Sequence, residues 1–79
     1  AVLIPDNEPR NREVVKQIKK YIEEDYAVVL WPDNVEEKDI NDMIIAGKTR
    51  REIKTIIDEH TYKGVRANLE FSKWSKTNV

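Results

Sequence analysis

The sequence predicts a small α/β domain built around one βαβ unit, and three features predict it. Residues 2–4 and 27–31 form two short apolar runs of the kind found in buried strands. The residues between them repeat with the period of a helix. Parallel neighbouring strands need a crossover of about a dozen residues or more, which this spacing supplies. We therefore expect two parallel strands joined by a helix.

The connecting segment is an amphipathic helix by its pattern. Its apolar residues recur on one helical face, with charged residues opposite. Asn11 is of a type that caps a helix start, and residues 23–25 give a polar exit into the second strand. The apolar positions are Val14, Val15, Ile18, Tyr21 and Ile22. The crossover should be right-handed.

Two short helices follow the second strand. Residues 31–34 end that strand, since Pro32 lacks a backbone donor and Asp-Asn favours a turn. Apolar residues at 40, 43, 44 and 45 predict a short helix that Gly47 terminates.

The next helix begins with the capping-box pattern of Thr49 and Glu52. Its buried stripe should contain Ile53, Ile56, Ile57 and His60, and Gly64 is predicted to lie just past its end. The His60 side chain is read as a packed or helix-end histidine and not as a catalytic base.

The C-terminal segment admits two interpretations. Apolar and polar residues alternate over residues 65–72, which predicts a half-buried strand. Val65, Leu69 and Ser72 would also fit one face of a short helix, so a helix stays open. Residues 75–79 are expected to be frayed.

Composition limits the classes of function. A chain of 79 residues is one small domain, and 37% of its residues are charged. It has no cysteine and one histidine, which excludes disulfides, cysteine-based zinc sites and histidine clusters. Any metal must therefore be held by oxygen. No apolar run has membrane-spanning length and no signal peptide is evident, so we expect no membrane partner and a cytoplasmic setting.

Acidic residues follow both predicted strands. Asp6 and Glu8 come directly after the first, and Asp39 and Asp42 follow the second. The carboxyl ends of parallel neighbours lie at one sheet edge, so these acids should converge on a divalent cation. Taken singly, each has a structural explanation, because Asp6 fits a turn and Asp39 fits a helix N-cap with Asp42 in its first turn. Asp33 is a weaker candidate ligand.

Basic and aromatic residues could bind nucleic acid. Cations line the connecting helix and crowd the start of the Thr49 helix, and two such strips beside an acidic metal site would suit a phosphodiester. Most runs of this kind are solvated helix faces. Trp31 and Trp74 are best read as packing residues, although an exposed Trp74 could stack on a base.

These motifs resemble a known family. The turn Asp6-Asn7-Glu8-Pro9-Arg10, the helix start Lys38-Asp39-Ile40-Asn41-Asp42-Met43 and the terminal Trp74 are similar to the C-terminal end of DNA primases of T-even-type bacteriophages. That end is the latter half of a Toprim domain. The resemblance covers nearly the whole chain, residues 1–79, and its most specific parts are the two acidic segments.

The resemblance implies a site and its partners. Asp6 and Glu8 match a catalytic Asp-x-Asp turn with Glu in the second place. The implied ligands of Mg²⁺ or Mn²⁺ are Asp6, Glu8, Asp39 and Asp42. The implied phosphate contacts are Arg10 and Lys38. The implied partners are the remainder of the primase, single-stranded DNA, nucleotides and the replicative helicase. The family's upstream glutamate, zinc module and polymerase subdomain have no counterpart here. We therefore expect a partial domain that does not synthesise primers alone.

Two other hypotheses stay open. The chain could be a small non-catalytic module that binds nucleic acid or docks on a protein, or a purely structural domain whose acids are turns and caps. A receiver-like phosphoacceptor domain also places acids at strand ends, but it needs more parallel strands than 79 residues provide.

Overall fold

The computed structural model describes all 79 residues as a three-stranded mixed sheet with helices on both faces. The sheet order is β1-β2-β3. β1 pairs parallel with β2, with Val2 opposite Ala27 and Leu3 opposite Val28, and β3 pairs antiparallel with β2. The elements in chain order are β1 (Val2–Leu3), α1 (Arg12–Glu23), β2 (Ala27–Val29), α2 (Ile40–Ile45), α3 (Arg50–Glu59), β3 (Thr61–Tyr62) and α4 (Gly64–Trp74).

The βαβ unit is confirmed, and α1 forms where the pattern predicts it. The side chain of Asn11 accepts hydrogen bonds from the backbone N–H groups of Glu13 at 3.0 Å and Val14 at 3.3 Å. These bonds satisfy two of the donors that a helix leaves unpaired at its start. Val15, Ile18 and Ile22 are buried on the inner face of α1.

The core is divided into two clusters by the sheet. Successive side chains of a strand point to opposite faces, so Val28 and Leu30 enter one cluster while Val29 and Trp31 enter the other. The first cluster is completed by Val15, Ile18, Ile22, Ala67 and Trp74, from α1 and α4. The second is completed by Val35, Met43 and Ile53, from the β2–α2 loop, α2 and α3. The fold is therefore a three-layer arrangement around a very short sheet.

Both predicted helix caps after β2 are confirmed. Asp39 Oδ1 accepts from the N–H of Asp42 at 2.8 Å, and Thr49 Oγ1 accepts from the N–H of Glu52 at 3.1 Å. Gly47 follows the end of α2 with φ of +105°, a backbone conformation that glycine adopts without steric cost.

The predicted end of the Thr49 helix is wrong. α3 ends at Glu59 and His60 caps it, because the chain then reverses into β3 and pairs with β2. A strand of only Thr61–Tyr62 carries no periodic signal, so the pattern missed it. Gly64 begins α4 with φ of +63° instead of terminating α3. His60 Nδ1 lies 2.8 Å from the carbonyl oxygen of Ile56, as expected of a helix-end histidine.

The strand prediction for residues 65–72 is also wrong, and the helix alternative is correct. Ala67 and Trp74 are buried in α4 with Phe71 half-buried between them, at helical spacing of four and three residues. Val65 and Leu69 are 86% and 52% exposed, so the outer face produced the alternation that mimicked a strand. The inner face, with small Ala67 against α1, decided the conformation.

The C-terminal tail lies against the start of α1. The N–H of Lys76 donates to the carbonyl of Pro9 at 2.8 Å, and the Arg12 guanidinium donates to the carbonyl of Asn78. Fraying of residues 75–79 stays a prediction. None of the four helices combines the length and the apolar character that crossing a membrane requires.

Candidate functional site

The turns after β1 and β2 lie side by side, as parallel pairing predicts. The N–H of Asn7 donates to the carbonyl of Lys38 at 2.6 Å. Nearer the strands, Trp31 Nε1 donates to the carbonyl of Pro5 at 2.9 Å. These bonds bring the first acidic turn against the segment that leads into α2.

Asn7 holds this junction together. Its Nδ2 donates to the carbonyls of Val35 at 2.9 Å and Glu37 at 3.1 Å, while its Oδ1 accepts from Trp74 Nε1 at 3.1 Å. An amide can donate and accept at once, whereas a carboxylate only accepts. Asn7 therefore links the β1 turn to the β2–α2 loop and to α4. Sequence reasoning missed this role, because an asparagine between two acids reads as an ordinary turn residue.

Asp6 and Asp39 are brought to one cavity. They line a recess of about 280 Å³ together with Ile4, Pro5, Trp31, Ile40 and Asn41. One oxygen of Asp39 serves the α2 cap, and its Oδ2 has no hydrogen bond. This recess therefore offers one exposed carboxylate and one free carboxylate oxygen from the ends of two parallel strands.

The other predicted ligands are not gathered there. Glu8 and Asp42 do not line the Asp6–Asp39 recess. No group of three or more His, Cys, Asp or Glu side chains is placed so that it could hold a metal ion. Asp33 lies instead on a second recess of about 430 Å³, which Arg10 and Lys76 also line.

Two carboxylates at one recess are fewer ligands than a complete Mg²⁺ shell needs. Mg²⁺ is usually held by one or two carboxylates, with waters and substrate phosphates completing its six positions. Asp6 and Asp39 could supply the protein's share of such a shell. Such a site is complete only when a phosphate ligand or side chains from another part of the protein fill the remaining positions.

Glu37 is a structural acid near the site. Its carboxylate pairs with Lys48 Nζ at 2.8 Å, and both side chains are largely covered. The hydrogen bond from Lys48 holds the pKa of Glu37 below its usual value. This pair ties the β2–α2 loop to the α2–α3 connection.

The tryptophans are packing residues, as predicted. Trp31 and Trp74 are 3% and 6% exposed, and both indole N–H groups are hydrogen-bonded. Neither ring offers a free face for a base.

The two implied phosphate contacts, Arg10 and Lys38, are both exposed. The carbonyl of Lys38 accepts a hydrogen bond from the N–H of Asn7.

The comparison with known proteins relates this geometry to a function. The chain is 31% identical over 77 residues to DNA primase of Enterobacteria phage T4, and the match covers 95% of the chain. The chain is related to a region of a DNA primase. It spans 22% of the length of that relative. No family model matches the chain, so the Toprim assignment stays a prediction.

The cap function of Asp39 can be measured separately from any metal function. Asp39→Ala is expected to lower the free energy of unfolding by about 1 kcal/mol, because the Asp42 N–H loses its acceptor. Asn41→Ala is the matched control, since Asn41 is exposed and makes no capping bond. Urea unfolding followed by circular dichroism gives both values. Equal stability of the two variants would contradict the cap assignment.

Proposed function

We propose that the chain is the metal-binding half of a Toprim-type nucleotidyl-transfer domain of a DNA primase. The observation that carries this is the shared recess of Asp6 and Asp39, which come from the ends of two adjacent parallel strands. The likeness of the chain to a region of a phage DNA primase supports the same interpretation. The reaction would be RNA primer synthesis on a single-stranded DNA template, carried out together with the remainder of the primase.

Each acidic residue has an assigned part in this proposal. Asp6 and Asp39 hold Mg²⁺ or Mn²⁺ directly, and Glu8 and Asp42 flank them and complete the shell when substrate orders the site. When bound, the ion stabilises the negative charge of the triphosphate during transfer. Asp6 and Glu8 are the proposed catalytic carboxylates of this half.

Two cations of the acidic segments have a binding role in this proposal. Arg10 and Lys38 are exposed next to the two acidic turns and would contact nucleotide phosphates. A guanidinium at position 10 can bond two phosphate oxygens at once, which fixes orientation as well as charge. Chemistry would also require the upstream part of the domain, and docking to the replicative helicase belongs to the assembled primase.

The test is an amide NMR titration of the 79-residue chain with Mg²⁺ and then with trace Mn²⁺. Paramagnetic broadening is expected to centre on the amides around Asp6 and Asp39. Asp39→Asn is the informative variant, because Asn caps a helix as well as Asp does and α2 is retained. We expect ion affinity to fall about tenfold or more, since even outer-shell substitutions cost that much.

Asp58→Asn is the matched control, because Asp58 is an exposed acid on α3, away from the recess. It should leave the broadening unchanged. Broadening that follows surface acids generally, or equal affinities of the two variants, would overturn the proposed metal site. Absence of broadening with inorganic triphosphate present would overturn it as well.

A further inference from the structure

Eleven of the fourteen cations of this chain fall into two groups with different surroundings, and Lys38, Arg50 and Arg51 belong to neither. Five of them, on α3, α4 and the loops, lie within 4 Å of a carboxylate: Lys48, Lys54, Lys63, Arg66 and Lys73. None of the cations on α1, on the turn before it or on the C-terminal tail pairs with a side-chain carboxylate, although Arg12 and Lys19 donate hydrogen bonds to the main-chain oxygens of Asn78 and Val79. The second group, called the α1 basic face below, comprises Arg10, Arg12, Lys16, Lys19, Lys20 and Lys76.

The fold turns these six side chains to one side of the molecule. The inner face of α1 is buried against the sheet, so Arg12, Lys16 and Lys20, four residues apart, project from the outer face. The tail is held against the same region by the bond from the Lys76 N–H to the Pro9 carbonyl at 2.8 Å. As a result Lys76 and Arg10 line the same recess of about 430 Å³, together with the acids Asp33 and Glu36.

A charged outer face is expected of an amphipathic helix, but the charges on the outer face of α1 are mostly of one sign. Like charges four residues apart on a helix repel and lower its stability. α1 carries two carboxylates: Glu13, which lines a different recess together with Asp6, and Glu23, which lies four residues after Lys19. The whole chain has a formal net charge of −1, so the positive charge is segregated and not an overall excess. Segregated, unpaired cations create a local field that attracts a polyanion.

We propose that the α1 basic face binds the phosphodiester backbone of single-stranded DNA. The choice of a DNA strand rests on the proposed primase function, while the charge argument stands by itself. α1 begins directly after the turn that carries Asp6, so a strand lying along α1 leads toward the Asp6–Asp39 recess.

The binding should be independent of base sequence. Both tryptophans are buried, and the α1 basic face itself contains no aromatic residue on which bases could stack. Contacts to phosphates fix the position of a strand without reading its bases. Affinity should therefore depend strongly on salt and weakly on base composition.

The experiment is fluorescence anisotropy with a labelled oligodeoxythymidine and the 79-residue chain, in EDTA and at stepwise NaCl concentrations. The double variant Lys16→Glu/Lys20→Glu removes the centre of the face. We expect it to weaken binding about tenfold or more and to reduce the slope of log affinity against log salt by about 1.4, or 0.7 for each lost contact.

The matched control is Arg50→Glu/Arg51→Glu, which makes the same change in net charge. Arg50 and Arg51 are exposed and unpaired at the start of α3, whose core side chains pack on the opposite face of the sheet from α1. This control should stay within about twofold of the unaltered chain if contacts and not net charge decide binding. Circular dichroism of both variants checks that the fold is kept, and amide shifts of the unaltered chain on adding the oligonucleotide should centre on α1.

Several results would overturn the proposal: no binding by the unaltered chain at low salt, equal losses in the two double variants, shift changes away from α1, or tighter binding of a duplex of equal length. Because EDTA removes divalent ions, this assay is independent of the metal site. If the oligonucleotide does not bind but Mn²⁺ broadening centres on Asp6 and Asp39, only the proposed DNA-binding role of the α1 basic face is refuted. If the oligonucleotide binds but the broadening is absent, only the proposed metal site is refuted.

Discussion

Ile18→Ala is expected to destabilise the domain by about 2–5 kcal/mol, the range observed when a large core residue is truncated to alanine. Ile18 is fully buried where α1 packs on β2 and α4, so the lost methyl groups leave a cavity between elements that all depend on it. A chain of this size has a total stability of only about 4–12 kcal/mol. The substitution should therefore remove a large share of that stability and clearly lower the urea concentration at which the chain unfolds.

Urea unfolding monitored by circular dichroism measures this effect. Ile45→Ala is the matched control, because Ile45 is 76% exposed on α2 and its truncation should change stability by less than about 0.5 kcal/mol. If the two isoleucine variants unfolded at the same urea concentration, α1 would not be packed as described.

Asn7→Ala is expected to destabilise the domain by about 2–4 kcal/mol and to loosen the candidate site at the same time. Three side-chain hydrogen bonds are lost, and the N–H of a largely buried tryptophan, Trp74, is left without an acceptor. An unsatisfied buried donor costs more than the bond itself contributes, about 1–3 kcal/mol. The turn that carries Asp6 would then be less firmly held against Lys38 and Asp39.

Two measurements separate these effects. Urea unfolding gives the stability, with Asn68→Ala as control, since Asn68 is exposed on α4 and its side chain makes no hydrogen bond. Mn²⁺ broadening under conditions where Asn7→Ala is still folded reports whether the Asp6 and Asp39 amides respond together. A variant as stable as the control would show that Asn7 is only an ordinary turn residue.

The local parts of this fold follow from the sequence because local physics decides them. The spacing of Val15, Ile18 and Ile22 admits one buried face, and Asn11, Asp39 and Thr49 each satisfy backbone donors two or three residues away. Such signals are complete within one turn of helix. The parallel pairing of β1 with β2 follows from the crossover length, and so does the approach of the two acidic turns.

The C-terminal third could not be derived this way. Val65 and Leu69 alternate like strand residues, and only the packing of Ala67 and Trp74 against α1 shows that they lie on an outer helical face. β3 is two residues long and exists because β2 offers it an edge. In both places the choice depends on partners distant in sequence, which periodicity does not describe.

The candidate site divides in the same way. That Asp6 and Asp39 lie at one edge of the sheet was determined by the sequence, through strand order and turn position. That only these two acids share the recess, while Asn7 holds the junction, was decided by the tertiary structure. The physical reason is that hydrogen-bond partners such as Asn7 and Trp74, 67 residues apart, are brought together only by the folded chain.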